Sequence, residues 1–147
     1  MRVCSFVIET LNHEPCLISA VVYENGVEVG HFWTTSCNCK SYTEMLAEFA
    51  TFLSGNALDA IWITDRVFPK ATTVLYDMVD RGLFDFEDFK TRLYDISNLL
   101  WEDKYRHQYE FYNLLHRIPC PCSSEETMLL CSARQIAACF MHMMEHK

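Results

Sequence analysis

The sequence predicts a single α+β domain, residues 1–147, with a mixed sheet that opens on an antiparallel three-stranded meander and carries helices on its faces. Three observations predict it. Two strand-like runs flank Asn25-Gly26, the strongest short hairpin signal. Two capping boxes, Ser41-Tyr42-Thr43-Glu44 and Ser123-Ser124-Glu125-Glu126, open helical patterns. Between two such patterns lies a short apolar run, Ala60-Ile61-Trp62-Ile63, of the kind a buried strand requires.

Residues 3–9 have the β-branched and aromatic content of a buried first strand, and residues 17–23 repeat it. After Asn25-Gly26 the chain returns as a third strand over 27–34. The helix opened by Ser41 places Met45, Leu46, Phe49, Phe52 and Leu53 on one face, and Gly55-Asn56 is expected to stop it. Pro69 suits the first turn of the next helix, which turns Val74, Leu75, Met78 and Val79 inward and ends at Gly82. Residues 92–96 read as a fifth strand or a short extended segment. Trp101, Tyr105, Tyr109, Tyr112 and Leu115 line one face of a further helix. The last helix buries Leu129, Ala133, Ile136, Phe140 and Met144.

Half of the residues are hydrophobic, so disorder is not expected, and no stretch reaches the ~20 apolar residues of a membrane span. The opening residues run straight into strand-like sequence, with no leader pattern, so the chain is expected in the cytoplasm. Eight cysteines invite a disulfide scaffold, but several sit inside apolar runs. Cys4, Cys16, Cys131 and Cys139 are therefore read as small buried hydrophobes, with reduced thiols. The net charge is −8, and no two of the twelve Lys and Arg are adjacent. Phosphate neutralisation supplies most nucleic-acid affinity, so this composition disfavours tight, unassisted binding of nucleic acid.

The segment Phe6-Val7-Ile8-Glu9-Thr10-Leu11, then Pro15, then Leu17-Ile18-Ser19-Ala20-Val21-Val22-Tyr23, resembles the opening of DEDD-type 3′→5′ exonucleases, in their phage and bacterial branch. That family's first motif reads Asp-Ile-Glu-Thr-Leu; here its Asp is Val7 and its Glu is Glu9. The second motif has Trp on a strand, then Phe-Asp opening a helix. Trp62 and Phe68-Pro69 match it, with Pro69 at the metal-binding Asp. Asp95, in Tyr94-Asp95-Ile96, resembles a structural or substrate-positioning Asp of the family. Aligning Arg134-Gln135-Ile136 with the last motif puts Glu126 at its His and Cys131 at its final Asp.

The resemblance spans nearly the whole chain and implies a ribonuclease-H-like fold. Of the family's five catalytic positions, only Glu9 survives. Such enzymes cleave the terminal phosphodiester with two divalent ions, Mg²⁺ or Mn²⁺, about 4 Å apart. At that distance two dications repel by roughly 16 kcal/mol at an effective dielectric of 20, which several carboxylates must offset. The leading expectation is a catalytically degenerate exonuclease-fold protein, encoded by a phage or mobile element, that binds a protein or a nucleic-acid 3′ end. The runner-up is an active exonuclease rebuilt around Glu9, Asp65, Asp95 and Glu126, with Glu9 holding metal. Against it, Asp65 can cap a turn, Asp77 can be a solvated helix face, and Glu126 is the reciprocal partner of the Ser123 box.

Other constellations compete. Cys37-Asn38-Cys39 and Cys120-Pro121-Cys122 supply four thiols for tetrahedral zinc, which would make a structural interaction domain. Zinc knuckles use longer spacings, so loop cysteines without metal are the expectation. His142 and His146 stand one turn apart without the Glu pattern of metalloproteases. The aromatic residues of 101–116 can stack bases, yet their spacing fits one buried stripe. A second copy of the chain remains a candidate partner.

Overall fold

The computed structural model describes residues 1–11, 14–36, 40–64, 70–83, 85, 87 and 125–145. These form an α+β arrangement of one four-stranded mixed sheet and three helices. Strands β1 (Arg2–Leu11), β2 (Glu14–Glu24) and β3 (Val27–Thr35) make the antiparallel meander. The short β4 (Ile61–Thr64) then pairs parallel with β1, on the side away from β2. The order is β3-β2-β1-β4, which puts β1 inside the sheet.

The turn between β2 and β3 is the one its sequence requires. Asn25 and Gly26 both have positive φ, 51° and 85°, as a type I′ turn demands. The N-terminal ammonium donates to Asn25 Oδ1 at 2.7 Å and the Asn25 N–H donates to the Met1 carbonyl at 3.0 Å, so the chain start is tied to this turn.

Helix α1 (Tyr42–Asn56) is capped by Ser41, whose hydroxyl accepts from the Glu44 N–H at 3.2 Å. Its end differs from the sequence expectation. Gly55 stays helical, and the cap is Ala57, whose N–H donates to the Leu53 carbonyl. Asn56 contributes through its side chain, donating to the Phe52 carbonyl at 3.0 Å rather than by a left-handed backbone. Helix α2 (Lys70–Asp80) does end on its glycine. Gly82, at φ 74°, donates to the Val79 carbonyl, and Leu83 donates to the Met78 carbonyl. Those two bonds make a Schellman motif, and Leu83 packs back on the core as that motif favours. Helix α3 (Glu125–Glu145) is the last element.

Because side chains alternate along a strand, β1 serves two cores at once. Cys4, Phe6 and Ile8 join Ile18, Ala20, Val22 and Trp62 under α1 and α2, against Met45, Leu46, Phe49, Leu53, Leu75 and Met78. Val3 and Val7 join Val21 and Ile63 under α3, against Leu130, Ala133, Ile136, Ala137, Cys139 and Phe140. A strand covered on both faces must be apolar throughout, which is why residues 3–8 show no polar alternation beyond Ser5. Ser5 is fully buried, and its hydroxyl donates to the Ala133 carbonyl at 2.7 Å. That bond fixes where α3 crosses the sheet.

Two cysteine readings need correction. Cys4 and Cys139 are buried and free, and burial pushes their thiols up to about 12 and about 11. Cys16 is outside any disulfide but only half-buried. Cys131 is neither a buried hydrophobe nor a reduced thiol: it is half-buried and disulfide-bonded. Outside the described residues lie Pro69, the extended segment 92–96, the aromatic helix 101–115, both Cys-x-Cys pairs and the Ser123 cap. No helix among the described residues is long and apolar enough to cross a membrane.

Candidate functional site

The end of β1 carries the positions the family resemblance singles out. Val7 stands directly opposite Ser19 on β2, and Ser19 opposite Trp33 on β3. One step further along the same face, Glu9 stands opposite Leu17, and Leu17 opposite Thr35. The β1–β2 register slips immediately after Glu9, between Glu9 and Thr10. A bulge there bends the strand end and re-aims its last side chains.

Helix α3 lies over this face. Val7 is 5% exposed, in the same apolar cluster as Leu130 and Ala133. Cys131 sits between those two residues on α3, so the structure brings the first and last motif segments together. Glu9 is exposed at the strand end. Glu126 lies in the first turn of α3, with its side chain outside the described residues, as are Asp65, Pro69 and Asp95 entirely.

The described part of this end of the sheet can be weighed for its donor atoms. A two-ion site needs oxygen ligands from several sides. Val7 supplies no ligand atom; it belongs to an apolar cluster with Val21, Leu130, Ala133 and Ile136, and the buried Ser19 stands opposite it. Cys131 is already spent in a disulfide. Among the described residues no three His, Cys, Asp or Glu side chains gather as a metal site. Of the motif positions that are described, Val7 and Cys131 offer no oxygen ligand and Glu9 offers one carboxylate.

Ser19 is a feature the sequence reading missed. It is 1% exposed, and its hydroxyl finds no hydrogen-bond partner among the described residues. An unmet hydroxyl costs about 1–3 kcal/mol, so the face beneath α3 holds one strained polar group beside Val7. Only its place in an otherwise apolar strand run could have signalled it.

Two polar clusters stand further out. On the α3 face, Arg134 grips Glu28 with two bonds, Nε to Oε1 at 2.7 Å and Nη2 to Oε2 at 3.1 Å. Tyr23 also bonds Glu28, and burial, then the Glu28 charge, pushes its hydroxyl above the usual tyrosine value. His31 Nδ1 lies 3.8 Å from the same carboxylate. The sequence used Arg134 only to align a motif; its partner is 106 residues away and invisible to spacing. On the other face, Asp77 is not simply a solvated helix residue. It accepts from the Tyr42 hydroxyl at 2.5 Å and pairs with Arg81 at 3.3 Å, and these contacts, Tyr42 foremost, hold its carboxyl below the ordinary value. Arg81 also donates to Thr43 and lies over the Tyr42 ring, so the cluster ties α1 to α2.

No family model, no characterised protein and no solved structure matches the chain.

Proposed function

We propose that this chain is a ribonuclease-H-like, exonuclease-fold protein that has lost two-metal catalysis and works by binding, in a phage or mobile-element setting. A meander followed by a crossover helix and a strand parallel to β1 is the arrangement such a fold requires, and this supports the fold part of the reading.

The observation that carries the functional part is the burial of Val7. The resemblance asks for a metal-binding carboxylate there, and the position is sealed in an apolar cluster under α3. A carboxylate at such a place would have to face solvent or an ion to stay charged. Glu9 alone brings one negative charge against two dications whose mutual repulsion is roughly 16 kcal/mol at an effective dielectric of 20. A net charge of −8 favours a protein partner over a nucleic-acid 3′ end.

The test is a nuclease assay on single-stranded DNA and RNA with Mg²⁺ or Mn²⁺, beside a Glu9→Ala control. The expected result is no 3′-end trimming above that control. Metal-dependent trimming abolished by Glu9→Ala would refute the reading and establish a site rebuilt around Glu9.

A further inference from the structure

We propose that Asn25 is a self-modification site, whatever the outcome of the nuclease assay: its side-chain amide converts to aspartate and isoaspartate by ring closure onto the Gly26 nitrogen.

Asn25 is the one Asn of the chain that is followed by Gly, and both residues are exposed at the β2–β3 turn. The Gly26 nitrogen, its proton taken by water or hydroxide, adds to Asn25 Cγ. The Cγ–Nδ2 bond then breaks, Nδ2 leaves with an added proton as ammonia, and a cyclic imide remains. Water adds to either imide carbonyl and opens the ring. One opening leaves aspartate; the other leaves isoaspartate, with the main chain running through the former side chain. Nothing is oxidised or reduced, and water is the sole reagent. The reacting atoms are accessible. The Gly26 N–H donates to no backbone carbonyl among the described residues, and a Cβ on Gly26 would meet nothing within 4 Å. The Met1 ammonium holds Asn25 Oδ1 at 2.7 Å, while Nδ2, the leaving nitrogen, has no partner among the described residues.

The turn must open for the nitrogen to swing onto Cγ, and its tip is built to open. Val22 pairs with Gly30 and Tyr23 with Glu28, so the strand bulges at Val29, and two pairs, Tyr23–Glu28 and Glu24–Val27, lie beyond the bulge. Arg134 holds Glu28, which confines the opening to the Glu24–Val27 pair. Val27 is 64% exposed, so fraying that pair uncovers little apolar surface. Gly26 enters the opened conformations without steric cost. Asn56 provides the contrast within the same molecule. Its Nδ2 donates to the Phe52 carbonyl, and the nitrogen that would attack it, that of Ala57, donates to the Leu53 carbonyl. Both reacting groups are held there by the end of α1. The two products at position 25 also differ. Aspartate tolerates the positive φ of the turn and gains a charge-assisted bond to the Met1 ammonium. Isoaspartate lengthens the main chain within a two-residue turn, which no longer closes the Glu24–Val27 pair in register.

Peptide mapping by mass spectrometry tests this on the folded protein held at physiological pH and temperature. A synthetic peptide of residues 20–31 sets the rate without a fold. Conversion of Asn25 in the folded chain should run within about tenfold of the peptide, as fraying of a strand tip allows. Asn56 should stay intact over the same period. Gly26→Asn keeps a residue that tolerates positive φ but crowds the attacking nitrogen. It should slow conversion at Asn25 several-fold, with circular dichroism unchanged. A folded chain whose Asn25 is intact once the peptide has converted would overturn the proposal. So would conversion of Asn56 at the rate of Asn25, or a Gly26→Asn chain that converts as fast as wild type.

Discussion

The two faces of the sheet are stabilised by different means, although β1 supplies both. Under α1 and α2 the core is built of large rings: Phe6 meets Phe49 at 5.6 Å between centroids, Phe32 extends the stack to Phe52, and Trp62 is fully buried with its indole N–H donated to the Ala57 carbonyl. Under α3 one ring, Phe140, packs with the aliphatic Ile63, Leu130 and Ile136 and the smaller Val3, Val7, Val21, Ala133 and Ala137, and two buried serine hydroxyls lie on this face. The first face gains its stability from buried volume, at about 1.5–3 kcal/mol for each fully buried large side chain. The second depends on close fit and on one specific hydrogen bond. Where Ala133 and Ala137 of α3 are fully buried, there is little tolerance for added size or polarity. The face that the resemblance would assign to metal chemistry is the one with least room for it.

The largest effect should come from removing volume where volume is the device. Phe49 touches both Phe6 and Phe32, so Phe49→Ala should cost about 3–5 kcal/mol in urea unfolding. A loss below about 1.5 kcal/mol, the size of a minor repacking, would show that the ring stack is not the centre of that core.

Adding volume should matter on the opposite face. Ala137 is fully buried under α3, and Ala137→Leu should cost about 1–3 kcal/mol by forcing α3 off the sheet. The equivalent enlargement on the ring face, Ala50→Val on α1, should cost less, since Ala50 retains slight exposure. If the order is reversed, the contrast between the faces fails.

A smaller effect separates the two serines beneath α3. Ser5→Ala removes the bond to the Ala133 carbonyl and should cost about 1 kcal/mol. Ser19→Ala removes a hydroxyl with no partner among the described residues, so it should be neutral or stabilising by up to ~1 kcal/mol. Substitutions of one chemistry on one face are thus expected to have opposite signs. A clear destabilisation by Ser19→Ala would mean that its hydroxyl is bonded in solution.

The fold was largely legible because its signals are local. Asn25-Gly26 dictates a turn type by backbone sterics, Ser41 satisfies a helix donor three residues on, and Gly82 supplies the left-handed residue that ends α2. Periodicity likewise found most of the buried faces of α1 and α2, and Ala133, Ile136 and Phe140 of α3, but not Leu130, Ala137 or Cys139 beside them. The misreadings concern long-range partners. The pairing of Cys131 depends on which thiol the fold brings near, which spacing does not encode. Asp77 reads as a solvent-facing helix residue until Tyr42, 35 residues earlier, is placed beside it. Glu9 and Val7 were found through motif resemblance, but that Val7 is sealed under α3 emerges only from tertiary packing.

The smallest effect concerns the rim of the ring-lined side, where Tyr42, Asp77 and Arg81 meet. Burial and the hydrogen bond to Asp77 push the Tyr42 hydroxyl up to about 12, against about 10 for an unfolded tyrosine. In that window the native chain keeps a proton that the unfolded chain releases. The contribution is therefore fully present below about pH 10 and is lost as pH rises towards 12. Asp77 behaves oppositely: its lowered value contributes above the ordinary carboxylate range and is lost on acidification. Because Asp77 and Arg81 are each about a third exposed, solvent screens the cluster, and Tyr42→Phe should cost only a few tenths of a kcal/mol at neutral pH. Phe cannot ionise in either state, so the deficit of Tyr42→Phe relative to wild type should shrink above about pH 10. The other six tyrosines cancel in that difference. Urea midpoints for both proteins at neutral pH and near pH 11 measure it. A deficit that stays constant, or grows, on the alkaline side would show that Tyr42 is not held by Asp77.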